Sequence, residues 1–309
     1  MFYKIASLIA LASLLIGCGN PNSGGFFAGS LGLGDGRLIV VTNDATANSQ
    51  NQSVNVYSLA GQFLYRLFDY GSVGDAPKGI TALSPFSFLV VLDGTDRVEW
   101  LDIYGNRRNF ALNAQLAGTL YQSVRDSAGN LYVIEGNAIE KFDAAGNRST
   151  GSSANAFIVT TIGACTLATP RSLRFNANGQ LVVVNSTGVV LIYDVATTPN
   201  CVNSVALANT PVTFISHSNG NLYIGRQTSD AIVQTNAVAA SAVDITTDTT
   251  IIDNPSAMVE MPDGTILVAS DGLNSIERIT ISGARVGNSS FILDSNTTSV
   301  SEMIIVRDR

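Results

Sequence analysis

AGNLYVIEGNAIEKFDAAG (residues 128–146) decides the fold, because the chain repeats it. The same pattern returns as NGQLVVVNSTGVVLIYDVAT (178–197), NGNLYIGRQTSDAIVQTNA (219–237) and DGTILVASDGLNSIERITISG (263–283). Each copy has a glycine in a turn, an apolar strand, a short polar turn and a second alternating strand, the signature of a β-hairpin. FSFLVVLDGTDRVEWLDIYGN (86–106) fits with Ser87 in the glycine slot, and residues 36–61 fit with a longer turn. A further strand precedes most copies, starting at Pro77, Tyr121, Pro170, Pro211 and Pro255, at spacings of 44, 49, 41 and 44. Proline suits a strand's first residue, where no ladder donor is lost.

The incomplete copy settles the topology. VSEMIIV (300–306) matches the opening strand but is followed by no hairpin before Arg309, while the hairpin at 36–61 lacks an opening strand. Together they make one blade, and closing a ring this way hides sheet edges that otherwise aggregate. Fourth strands are expected at 62–68, 156–162, 201–207 and 289–293. A repeat of about 44 residues with four strands defines a propeller blade. The expectation is an all-β, six-bladed β-propeller of four-stranded blades over residues 36–309, closed by the C-terminal strand joining the N-terminal hairpin.

Two hairpins resemble NHL-type repeats. The matching pieces are Gly129-Asn130-Leu131-Tyr132-Val133 with Ile139-Glu140-Lys141-Phe142-Asp143, and Gly264-Thr265-Ile266-Leu267-Val268 with Ile276-Glu277-Arg278-Ile279. The resemblance, which extends to gluconolactonase-like propellers, implies blade geometry. It selects no chemistry, since propellers serve as lactonases, lyases, sugar dehydrogenases and interaction platforms.

The N-terminus carries an address. MFYKIASLIALASLLIG (1–17) holds one cation, Lys4, before an apolar run of 13 residues, too short for the ~20 of a membrane-spanning helix. A basic start, a short apolar middle and a small residue before the cut describe a secretory signal. Leu15-Ile16-Gly17-Cys18 resembles the bacterial lipobox, which implies acylation of Cys18 and a mature chain beginning there. Residues 18–35 read as the lipidated cysteine and a Gly/Ser/Asn-rich flexible tether. The expected localisation is a lipid-anchored exported protein. Gly19, where an inner-membrane retention aspartate would stand, favours the outer membrane, facing periplasm or surface. Cys165 and Cys201 then remain, and an oxidising compartment favours their pairing. The repeat places them on outer strands of neighbouring blades, however, so the ~4.4–6.8 Å between Cα atoms that a disulfide needs stays an open question.

Composition narrows the partners. The 309 residues include Lys+Arg 17 and Asp+Glu 24, a net charge of −7, and one histidine. A hydrophobic share of 46% excludes intrinsic disorder, and the net negative charge argues against a nucleic-acid partner. A single histidine leaves little room for His-rich metal sites.

Six residues past the turn slot lie Thr42, Asp93, Glu135, Asn185, Arg226 and Ser270, all polar where their predecessors are apolar or glycine. They end the second strand of each blade, at the same rim as Lys78, Gln122, Arg171, Ser256 and Ser301. Asp93, Glu135, Asn185, Arg226, Lys78 and Arg171 are therefore the candidate ligand-binding residues at a channel mouth, where propeller loops converge. No catalytic residue is assigned. Resemblance to gluconolactonases implies a divalent cation such as calcium on Asp93, Glu135 and Asn185, all hard oxygen donors, although Arg226 in the same tier opposes it. No other cofactor is expected. His217, beside a turn, reads as a surface histidine. Because no acid/base set repeats, the reading favours a binding or scaffolding module in the cell envelope, with an envelope protein or small ligand as partner. A metal-dependent lactonase or hydrolase and a small-ligand sensor are the alternatives.

Overall fold

The computed structural model describes residues 37–44, 52–71, 75–84, 86–109, 116–149, 151, 156–207, 209–236, 242–295 and 297–307. The signal, Cys18 and the tether lie outside this set. Six antiparallel sheets form the ring. Blade 1 orders its strands Val300–Arg307, Arg37–Asn43, Ser53–Ser58 and Phe63–Asp69. Blade 2 runs from Ala76–Ser84 to Arg107–Asn109, blade 3 from Leu120–Arg125 to Ile158–Val159, and blade 4 from Pro170–Phe175 to Asn200–Ala206. Blade 5 spans Pro211–Ser216 to Ala242–Thr246. Blade 6 is built on Pro255–Glu260, Ile266–Ser270 and Ser275–Ile279, and its outer strand is reduced to bridges such as Ile276 to Ile292. No helix among the described residues is long and apolar enough to cross a membrane.

Stacking explains why the second strands read as unbroken apolar runs. A strand covered on both faces has no reason to alternate. Val40 packs toward blade 2 with Ile80, Phe88 and Val90, while Ile39 and Val41 pack toward blade 6 with Ala257, Leu267 and Ile276. Each of the other blade–blade interfaces carries its own buried cluster, for example Val182, Val184, Phe214 and Ile224 between blades 4 and 5. The core is thus a ring of wedges.

Glutamates are buried inside three blades by a device with a fixed spacing. Glu99, Glu140 and Glu277 on third strands pair with Arg107 (3.5 Å), Arg148 (2.8 Å) and Arg285 (3.0 Å), each eight residues on. In two of the three the turn between the partners is held by an aspartate, Asp102 or Asp143, and in the third by Thr280. Asp143 Oδ1 accepts the N–H groups of Ala145 (2.9 Å) and Asn147 (2.8 Å), and Gly146 at φ 85° supplies the left-handed residue.

Cys165 and Cys201 are joined, with 5.6 Å between Cα atoms. The expected outer strand at 156–162 is the reason the distance closes. It breaks after Ile158–Val159 and turns back as a hairpin, Thr161–Ile162 against Cys165–Thr166, which lays Cys165 over the outer strand of blade 4. In the chain-entropy picture a link across 36 residues restricts the unfolded chain by about 3–4 kcal/mol. Reduction, or Cys165→Ser with Cys201→Ser, should lower the urea-unfolding free energy by roughly that amount, with an unchanged β-sheet circular dichroism spectrum.

Candidate functional site

One irregularity recurs at the same height in all six blades. Along each innermost strand the register skips at the second-strand exit: Pro77 faces Leu92 and Gly79 faces Val91, so Lys78 has no partner. Arg171, Val212 and Ser256 are skipped likewise, as is Ser301 in the closing blade. In blade 3 the skip covers Tyr121 and Gln122. A β-bulge re-aims the extra residue. Here every one of these residues faces one cavity of about 390 Å³ at the channel mouth. Its walls also carry Asp44, Ser186, Thr210, Gln227, Asp271 and Ser299.

The structure divides the candidate residues. Lys78 and Arg171 line the cavity, whereas Asp93, Glu135, Asn185 and Arg226 are not among its walls. Glu135 accepts the Ala117 N–H at 2.6 Å and pairs with Arg148 at 3.3 Å. Arg226 pairs with Asp244 on the outer strand at 2.5 Å, and buried Asn185 donates to the Thr166 carbonyl at 3.0 Å. Asp93 stands half-buried opposite Ala76. The second strands instead contribute the residue just past their last paired position, namely Ser186, Gln227 and Asp271. The triad Asp93, Glu135 and Asn185 does not fit a cation, since Glu135 and Asn185 are engaged elsewhere on separate blades. Among the described residues no group of three or more His, Cys, Asp or Glu side chains gathers to hold one. His217 is buried rather than exposed. Its Nε2 lies 3.0 Å from the Gly264 carbonyl, and its Nδ1 accepts the Asn219 N–H at 3.1 Å.

Charge in the mouth is mixed and sided. Asp44 is ion-paired with Lys78 and takes the Ser299 hydroxyl at 2.7 Å. Asp271 accepts the Ser256 hydroxyl at 2.8 Å, and the Val300 N–H also points to it. Burial, with the Asp44 charge adding to it, pushes the Asp271 carboxyl up to about 7. Across the cavity, the exposed Arg171 guanidinium lies 4.5 Å from the Tyr121 ring centre. Asp44 and Asp271 went unnoticed in the sequence, although both lie one or two positions beyond the polar tier.

A strut closes the floor. Arg174 on blade 4 pairs with Glu302 on blade 1 and donates to the Phe214 and Met258 carbonyls of blades 5 and 6, at 3.0 and 3.3 Å. Beyond it a second cavity of about 420 Å³ opens at the other rim, lined by Val124, Phe175, Ile215, Val259 and Ile304.

No protein-family model matches the chain, and no curated protein matches it by sequence. Solved structures share its fold. A nidogen/laminin complex contains a chain 11% identical, with a TM-score of 0.65, covering 88% of this chain and 99% of that one. A putative 6-phosphogluconolactonase from Bacteroides fragilis gives 13%, 0.56, 89% and 99%. A virginiamycin B lyase from Staphylococcus aureus, solved with quinupristin, gives 14%, 0.53, 72% and 72%. Together with the six sheets these likenesses place the chain among six-bladed β-propellers.

Two stability outcomes follow from the charges. Glu302→Gln leaves Arg174 without its counter-charge and should cost about 3 kcal/mol, at the low end for a broken buried pair because Arg174 is partly exposed. Asp271 binds its proton more tightly folded than unfolded (unfolded value ~3.9). Its contribution is therefore complete below the unfolded value and is lost as pH rises through about 7. Asp271→Asn should raise the melting temperature relative to wild type near pH 8, with the difference shrinking as pH falls toward about 4.

Proposed function

We propose that the chain is a lipid-anchored protein of the bacterial cell envelope whose propeller works as a binding module, holding a small polar ligand in the bulge-lined mouth. The observation that carries the reading is the convergence of one bulged position per blade on a single cavity. A volume of about 390 Å³ lies within the range of small-molecule sites. Hydroxyls, amides and charges of both signs line it, a set suited to hydrogen-bonding a polar molecule. The strut of Arg174 and Glu302 gives the mouth a rigid floor.

Anchoring rests on the sequence around Cys18. Acyl chains there, with the following tether, would hold the ring at the membrane surface without spanning the bilayer. The metal-dependent lactonase reading draws on the propeller likeness alone, and its ligand triad is dispersed.

Two measurements test the proposal. Cys18→Ala should abolish labelling by radioactive palmitate in a bacterial host and move the protein from the membrane to the soluble fraction. For the mouth, a thermal-shift screen of amino acids, sugars and organic acids should find a compound that raises the melting temperature as RT ln(1 + [L]/Kd) requires. Val212→Trp, which fills the cavity, should abolish that shift while leaving the unliganded melting temperature within a few degrees. A screen without any shift would contradict the reading.

A further inference from the structure

Two charged groups in the mouth form no ion pair among the described residues. Asp44 and Lys78 cancel one another. Arg171, by contrast, forms no ion pair among the described residues; it stacks on Tyr121, which leaves the edges of the guanidinium fork open. Asp271 takes its hydrogen bonds, among the described residues, from neutral donors, the Ser256 hydroxyl and the Val300 N–H, while the charges of Lys78 and Asp44 act on it in opposite senses. The two stand on blades 4 and 6, on either side of blade 5, whose bulged residue Val212 is the apolar member of the ring.

We propose that the mouth binds a small zwitterion, an amino acid or short peptide, whose carboxylate meets Arg171 and whose ammonium meets Asp271. This rests on the mouth being a binding site and names what it takes. A simple anion would suit Arg171 but would face the carboxylates of Asp44 and Asp271. A simple cation would meet Lys78 and Arg171. A neutral sugar would hydrogen-bond both charges through its hydroxyls but would neutralise neither. A zwitterion compensates both, and its aliphatic part lies against Val212 and the Tyr121 ring. Charge-assisted hydrogen bonds of this kind are about twice as strong as neutral ones.

The elevated Asp271 carboxyl supplies an independent readout. Its surroundings are Ser256, the Val300 N–H, Asp44 and Lys78. An ammonium placed against it favours the ionised form, so binding near neutrality releases a proton. Calorimetry in buffers of different ionisation enthalpy detects that release.

The test uses the full chain in detergent micelles near pH 8. The standard amino acids and L-alanyl-L-alanine are titrated, and each binder is repeated as its N-acetyl and its amide derivative. Loss of either charge is expected to weaken binding about tenfold or more, the scale of one charge-assisted contact. Arg171→Gln should erase the difference between a binder and its amide. Asp271→Asn should erase the difference between the binder and its N-acetyl form. Arg171 is exposed and Asn is nearly isosteric with Asp, so both variants should fold. Binders indifferent to both substitutions would overturn the inference. So would a mouth that takes a sugar or simple anion, blocked by Val212→Trp, but no zwitterion, although the mouth would then remain a binding site. If no compound binds at all, both readings fall.

Discussion

The antiparallel pairing of Arg37–Asn43 with Val300–Arg307 is the constraint on which the ring depends. A propeller has no single core. Its apolar surface is shared among interfaces, each needing a neighbour on either side, and a ring left open would expose the faces of its two end blades. The terminal pairing lets Ile39 and Val41 reach blade 6 while Leu38 and Val40 reach blade 2. It also brings two functional elements into place. Ser301 completes the ring of bulges, and Glu302 meets Arg174 across the channel. Closure, floor and mouth are therefore consequences of the same eight-residue strand.

The two ends of the channel differ because the two ends of each innermost strand differ. At one end the bulge turns Lys78, Arg171 and their counterparts into the cavity, and the second strands add hydroxyls, amides and carboxylates. At the other the strands present Val124, Phe175, Ile215 and Val259 together with Arg125, Ser216 and Glu260. Arg174 and Glu302 stand between a polar chamber and one with more aliphatic and aromatic walls. The mouth is thereby a shallow, rigid cup, and its recognition chemistry is set by one residue per blade. That arrangement lets a propeller change ligand without changing fold.

Most of the architecture was legible in the sequence because it is written in punctuation. Turn glycines, strand-opening prolines and the split copy at the termini fixed blade number, order and closure. Lys78 and Arg171 were legible for the same reason, since each follows a proline at a strand start. Asp93, Glu135, Asn185 and Arg226 misled because they are the last paired residues of their second strands, whereas the chain turns into the cavity just beyond them. Asp271 and Asp44 were hidden because they lie one and two positions past the tier, outside the repeating pattern. The disulfide stayed undecided because the hairpin that carries Cys165 over blade 4 has no counterpart in the repeat. His217 looked exposed beside its turn, but the turn packs against blade 6. The Glu–Arg pairs were present as a recurring spacing, in VEWLDIYGNR, IEKFDAAGNR and IERITISGAR, that gains meaning only with the outer strands in view.

The most direct test of the closed ring is native-state hydrogen exchange of the amides at Ile304 and Val306, on the side of the closing strand that faces Arg37–Asn43, compared with Val182, Val183 and Val184 in blade 4. If the terminal strand is the closure, its amides exchange with the same free energy as those central residues, because opening it requires unfolding the ring. Exchange of Ile304 and Val306 at the rate of a frayed terminus, with blade 4 still protected, would contradict the account.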